Sequence, residues 1–315
     1  MPQIRANGID IEYESFGRES DPALLLIMGF AAQMIMWPRA LCEGLAARGL
    51  RVIRFDNRDI GLSTHLSGLP VPNPAELMAA RMSGGTVEVP YRLDDMATDA
   101  AELLKALGIK SAHVVGASMG GMIAQLVAIN HPEVTKSLTS IMSTTARPDL
   151  PPAKPEAMAA LMAPPASPSR ADRIAAGLNV VRVLGSPGFA ASESELLATV
   201  GAAVDRAPYD PSGVARQLGA IVAALPRNEA LKALRCPALV LHGADDPIIP
   251  VEAGKDTAAS IPGAELVIVP GMAHDFTDAL VPVYLKHVGD FVAAVEARPK
   301  SARPIPAGER VHPVV

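Results

Sequence analysis

A chain of 315 residues, 49% of them apolar and 19% charged, is long for one simple core and short for two independent ones. It suits a single globular domain carrying a substantial insertion. A net charge of −5, from 28 basic and 33 acidic residues with no basic block, excludes nucleic acid or an anionic membrane surface as the main partner.

From the N-terminus, "MPQIRANGIDIEYESFG" alternates and turns at Asn7-Gly8, which predicts a hairpin rather than a targeting signal. "ALLLIMGF" (23–30) and "RVIRFDN" (51–57) read as buried strands separated by a helix around "RALCEGLAARGL". "LDDMATDAAELLKALGI" (93–109) has acids in its first turns and Lys105 late, which suits a helix dipole. "AHVVGA" is the next strand, 119–130 the next helix and "VTKSLTSIM" a further strand. "PALVLHG" (237–243) and "AELVIVPG" (264–271) follow as strands, before a final helix around "PVYLKHVGDFVAAVEA". Near-continuous apolar strands joined by helices imply an α/β fold, a mostly parallel sheet covered on both faces.

The rhythm breaks at 147–229, which opens with Pro148, Pro151, Pro152 and Pro155 and continues as Ala-, Leu- and Met-rich helical segments. The expectation is a core at 1–146 and 230–296, a helical cap insertion at 147–229 and a proline-rich tail at 297–315. No apolar run approaches 18 residues, so no membrane span and a cytoplasmic location are expected. Cys42 and Cys236 lack metal-binding spacing and are expected as buried small hydrophobes.

Where "AHVVGA" meets the following helix, the chain places Gly116, Ala117, Ser118, Met119 and Gly120, a G-x-S-x-G turn. Ligands of open parallel sheets bind beyond the carboxyl ends of the strands. Small residues two before and two after Ser118 permit a strained turn that exposes its Oγ there. The helix starting at Met119 aims unpaired N–H groups at the same point. A serine that merely caps the helix is the plainer alternative. A phosphate loop is not, because neither glycine-rich phosphate motif is present.

A serine hydroxyl needs a base. His113 begins the nucleophile's own strand, His131 follows the next helix, His287 lies within the last helix and His312 in the tail. His65 and His242 stay open by position. His274, in "VIVPGMAHDF", leaves the same strand edge as Ser118 and is the preferred base. The base in turn needs an orienting carboxylate. "LVLHGADDPIIP" offers Asp245 and Asp246, while no acid occurs between Glu133 and Asp149. The aspartate directly before Pro247, Asp246, is expected to face the histidine loop.

Ser118, Asp246 and His274 in that order, with a helical insertion between nucleophile and acid, resemble the α/β-hydrolase superfamily. The likeness runs from residue 4 to 295 on "FDNRDIGLST", "GASMGG", "HGADDPIIP" and "PGMAH". "LLLIMGF", "VIRFDNRDIGLST" and "PGMAH" are most similar to aclacinomycin methylesterase-type esterases. Most relatives in the superfamily carry His-Gly where this chain has Met28-Gly29, and the methylesterase-like members have a second glycine where it has Phe30. The resemblance implies an oxyanion hole made by the backbone N–H groups of Phe30 and Met119, with Phe30 narrowing the acyl side. Epoxide hydrolases and dehalogenases, also similar, need a carboxylate where Ser118 stands. Asp56 and Arg58 are expected to organise the loop beneath the site.

The reaction implied is hydrolysis of small to medium apolar carboxylic esters through an acyl-enzyme on Ser118, with no cofactor and no metal. Met34, Met36, Trp37, Met122 and Met272 are expected to line the pocket, with Met158 and Met162 in the cap. The expected partner is a small-molecule ester; oligomeric state is not assigned. An aminopeptidase of the proline iminopeptidase kind, a C–C bond hydrolase, and more remotely a ligand receptor without turnover remain as alternatives.

Overall fold

The computed structural model describes residues 2–84 and 87–298; the expected tail beyond residue 298, with His312, lies outside them. β1 (Gln3–Ala6) and β2 (Ile9–Phe16) form the hairpin. Asn7 and Gly8 both take positive φ, 45° and 78°, the conformation that a tight hairpin turn requires. The chain continues as β3 (Ala23–Ile27), α1 (Arg39–Ala47), β4 (Arg51–Phe55), α2 (Pro74–Met82), α3 (Leu93–Ala106), β5 (Ala112–Ala117), α4 (Met119–Asn130) and β6 (Thr135–Ile141). Five helices follow before the next strand: α5 (Pro155–Met162), α6 (Arg170–Val183), α7 (Glu193–Arg206), α8 (Pro211–Val222) and α9 (Asn228–Leu231). Then come β7 (Ala238–Gly243), α10 (Val251–Ser260), β8 (Glu265–Val269) and α11 (Val281–Glu296).

The eight strands lie in the order β1-β2-β4-β3-β5-β6-β7-β8. Pairing is antiparallel through β1, β2 and β4 and parallel from β4 to β8. Alternation explains why β3 is apolar throughout. Leu25 and Ile27 of β3 join the core under α3 and α4, with Met96, Leu103, Ile123 and Val127. Their neighbours Leu24 and Leu26 join the opposite core under α1 and α11, with Leu41, Leu45, Tyr284 and Val288. A strand buried on both faces has no polar side to show. Each such leucine contributes about 1.5–3 kcal/mol by leaving water.

The helices between β6 and β7 start at recognisable signals. Ser169, Ser192 and Asp210 accept the N–H groups of Asp172, Glu195 and Ser212, and Pro155 and Pro211 open α5 and α8. α6 has no fully buried residue; Ala176, Gly177, Val180 and Val181 line a cavity.

Ion pairs join these helices to the loop after β4. Arg216 of α8 and Asp59 are both fully buried and meet in two 2.8 Å hydrogen bonds. Arg206 of α7 donates to Asp56 at 2.7 Å and to Gln33 at 2.8 Å. Removing one partner of a buried pair leaves an uncompensated charge, worth about 3–5 kcal/mol. Arg216→Ala should therefore lower unfolding stability by about that much, read as a fall in the urea midpoint at unchanged slope. A fall near zero would show that water or a rearranged side chain reaches Asp59.

Candidate active site

At the end of β5 the chain reverses through Ser118, at φ 57° and ψ −124°. A non-glycine residue held there costs on the order of 1–3 kcal/mol, so the surroundings must enforce it. Flanking backbone approaches too closely for side chains. A Cβ on Gly116 would sit 2.0 Å from the carbonyl oxygen of Gly120, and one on Gly120 would sit 2.0 Å from that of Ile27. The Ser118 N–H donates to Ile141 O at 3.0 Å and its carbonyl accepts the Ser143 hydroxyl at 2.8 Å. This close approach accounts for the paired glycines around one serine in the sequence.

Beyond β7 the two aspartates diverge. The Asp246 side chain is fully buried, and its Oδ1 accepts the N–H groups of Ile248 and Ile249 at 2.9 and 2.8 Å. Its Oδ2 lies 2.7 Å from His274 Nδ1. Asp245 points outward, and its Oδ2 accepts the Gly271 N–H at 2.8 Å. One carboxylate thus holds the imidazole and the other the backbone of its loop. Burial opposes the ionisation of Asp246. The charge and hydrogen bond of His274, with the charge of His242 and the Ile249 N–H, outweigh burial and keep the carboxyl below its ordinary range.

Ser118 and His274 line one cavity of 170 Å³, with Met28, Phe30, Met142 and Phe276. A second cavity, of 350 Å³, adjoins it and shares Phe30, Ala32, Met36, Leu161, Val180 and Val181. Of the expected pocket residues, Met36 lines both. Met34, Trp37, Met122 and Met272 line neither, which corrects the sequence reading. Met34 is fully buried, Trp37 and Met272 are fully buried in the core under α1 and α11, and Met122 faces the core beneath α4. Trp37 acts indirectly, its ring tilted 55° against that of Phe276 at a centroid distance of 4.6 Å, and Phe276 does face the cavity. The short turn Met34–Met36 explains the split between its two methionines, one inward and one towards the cavity. Met162 lines the second cavity, whereas Met158 is exposed.

The oxyanion-hole candidates sit on either side of the serine. No loop hydrogen bond among the described residues uses the N–H of Phe30 or Met119. Asn57 holds the Met28 carbonyl at 2.9 Å, and the buried Gln217 accepts the Ala31 N–H at 3.0 Å. The loop carrying Phe30 is therefore anchored on both sides.

Other histidines have other partners. His113 meets Ser137 and Glu296. His242 meets the Ile249 carbonyl. His65 meets Asp210 at 2.8 Å and lines the second cavity. Asp59, His65 and Asp210 bring ligand-type atoms within 4.8 Å of one another. The Arg216 guanidinium occupies that cluster, bonding Asp59 and lying 3.7 Å from Asp210, so the cation there is the protein's own. Asp56 accepts the Met34 and Leu62 N–H groups, and Arg58 pairs with Asp99 at 2.6 Å. Cys42 and Cys236 are free thiols; burial pushes that of Cys42 up to about 12.

A serine on a strained strand-to-helix turn thus shares one cavity with a histidine held by a buried carboxylate. Residues 22–278 match the family described as alpha/beta hydrolase fold, and the chain belongs to it. Rhodomycin D methylesterase DauP of Streptomyces sp. (strain C5) is 35% identical over 139 residues, 44% of this chain and 41% of that protein. Its counterpart DnrP of Streptomyces peucetius is matched over 37% of its length, so the chain spans less than half of either methylesterase. The pimeloyl-[acyl-carrier protein] methyl ester esterase of Chromobacterium violaceum is 31% identical over 70% of this chain and 85% of its own. Among solved structures, a meta-cleavage product hydrolase of Pseudomonas fluorescens superposes with a TM-score of 0.72 at 18% identity, covering 93% of this chain and 98% of that one. That likeness establishes the fold.

Sequence reasoning missed the residues that the insertion brings to the site, among them Leu161, Val180, Val181, Ser186 and Gln217. Asp275 was in view beside His274, but its partner was not.

Asp246 has a lower pKa folded than unfolded, so its ionised form stabilises the fold above about pH 4, the unfolded value. That contribution disappears as pH falls through the folded-state value. The stability gap between wild type and Asp246→Asn should be full between about pH 5 and 7 and shrink on acidification below about pH 4. Urea midpoints across that range check it; a gap constant down to about pH 2 would show that ionisation contributes nothing.

Proposed function

We propose that the protein is a serine carboxylesterase for small to medium apolar esters. The observation that carries this reading is the 2.7 Å His274–Asp246 pair opening into the cavity that also holds Ser118. The names of the methylesterase and methyl ester esterase relatives support it.

In the proposed mechanism Ser118 Oγ attacks the ester carbonyl while His274 Nε2 takes its proton. The Phe30 and Met119 N–H groups stabilise the oxyanion, each at the order of 3 kcal/mol typical of such donors. Collapse of the tetrahedral adduct breaks the bond to the alcohol, which leaves with the proton from His274. A water deprotonated by His274 then releases the acid. Asp246 holds the imidazole in the tautomer with its proton on Nδ1 and offsets the charge that develops. The leaving oxygen must lie at His274, whereas neither His274 nor Ser118 lines the second cavity. We therefore assign the second cavity to the far part of the acyl group, reached past Phe30. Residues 147–229 act as the cap that forms its roof.

Ser118→Ala should abolish ester hydrolysis and leave the fold intact, and a fluorophosphonate probe should label Ser118 alone. The test is a panel of p-nitrophenyl esters of increasing chain length, with proline p-nitroanilide included. Labelling of another serine, or turnover of the anilide above the esters, would overturn the reading.

Phe30→Gly keeps the backbone donor and removes the side chain between the two cavities. It should raise kcat/KM for bulky acyl groups by roughly tenfold, the scale of a modest change in an apolar pocket. Collapse of short-ester hydrolysis with no gain on bulky esters would show that Phe30 organises its loop and does not gate.

A further inference from the structure

We propose that Ser186, in the loop between α6 and α7, is a positioning residue for His274, tying the histidine loop to the insertion. The inference rests on the esterase reading above for what His274 does. It stands separately on how that loop is held.

β8 ends at Val269, so residues 270–275 leave the sheet and lose its ladder partners. Backbone N–H groups at a closed site must find others, and here they find them in the segment 184–188. The His274 N–H donates to the Leu184 carbonyl at 3.0 Å, and the Ala273 N–H donates to Ser186 Oγ at 2.7 Å. From the other side, the Gly188 N–H donates to the Gly271 carbonyl at 2.8 Å. Ser186 also donates both its hydroxyl and its N–H to Asp275, one to each carboxylate oxygen, the N–H at 3.0 Å. Ser186 itself is 2% exposed. One buried serine therefore grips the residues immediately before and after His274.

Asp246 restrains the imidazole only at Nδ1. A ring held by one hydrogen bond can still pivot about it, which moves Nε2, the atom that must meet Ser118. Fixing the backbone on both sides of His274 removes that freedom. The core holds other points of this stretch: Asp245 accepts the Gly271 N–H and donates its own N–H to the Met272 carbonyl at 3.0 Å, the Met272 N–H donates to the Val269 carbonyl, and the Tyr284 hydroxyl donates to the Asp275 carbonyl at 3.0 Å. None of these replaces the contacts to Ala273 N–H or the Asp275 carboxylate. The insertion is thus a structural part of the proton-transfer apparatus as well as a roof, since its segment 184–188 holds the backbone on both sides of His274.

The experiment compares Ser186→Ala with Ser186→Thr in the full chain. Ser186→Ala should lower kcat on p-nitrophenyl acetate by about 10–100-fold, the scale of a displacement near 1 Å, with KM within about twofold and fluorophosphonate labelling slowed in step. Ser186→Thr keeps a hydroxyl on the same Cβ and should recover most of kcat. The downfield proton resonance of the His274–Asp246 hydrogen bond should broaden or shift in the alanine variant and return in the threonine variant. That readout does not depend on turnover, so it separates failure of the positioning role from failure of the esterase assignment. If Ser186→Ala does not fold, Asp275→Asn is read by the same kcat and resonance criteria. A kcat and resonance like those of wild type, a loss confined to KM, or a folded threonine variant as impaired as alanine would overturn the proposal.

Discussion

Parallel pairing of β5, β6, β7 and β8 is the constraint on which the site depends. In a parallel sheet every strand ends on the same edge, and each connection returns behind the sheet to start the next. Gly116 pairs with Ser140, Ile141 with Leu241 and Gly243 with Val269, so the turns carrying Ser118, Asp246 and His274 emerge side by side. Residues separated by more than a hundred positions need no long-range folding of loops to reach the same edge of the sheet. Each lies a few residues beyond the end of its strand.

Rigidity at that edge comes from close backbone packing and saturated polar groups. The serine turn is strained, and Gly116 and Gly120 let neighbouring backbone press against it. Asp246 has both oxygens engaged, one by two backbone N–H groups and one by His274. Such preorganisation matters because donors and bases already in place pay no reorganisation cost as charge develops.

Helices α5–α8 complete what the sheet leaves open. They supply one wall of both cavities, the buried Gln217 that anchors the loop of Phe30, and the loop that holds the histidine segment. Their attachment runs through buried charge, Arg216 on Asp59 and Arg206 on Asp56. A pair of this kind adds little net stability over an apolar contact but penalises any arrangement that separates its members. It therefore suits helices held in one arrangement better than freely swinging ones.

Much of this was legible in the amino-acid order. The alternation of buried strands with helices, the G-x-S-x-G turn and the aspartates and histidine just beyond the last two strands are local patterns. Each is set by backbone period, steric tolerance at glycine or position relative to a strand end. The sequence by itself determined the α/β hydrolase architecture and the short list of groups at its edge. The aspartate before Pro247 was expected from the chain to face His274; tertiary structure decided which methionines face a cavity and which vanish into the core, and that Ser186 meets Asp275. Those outcomes depend on side-chain direction after a turn and on contacts between segments some 90 positions apart (89 for Ser186 and Asp275). Neither leaves a periodic trace in the chain, because what selects them is the packing of one element against another.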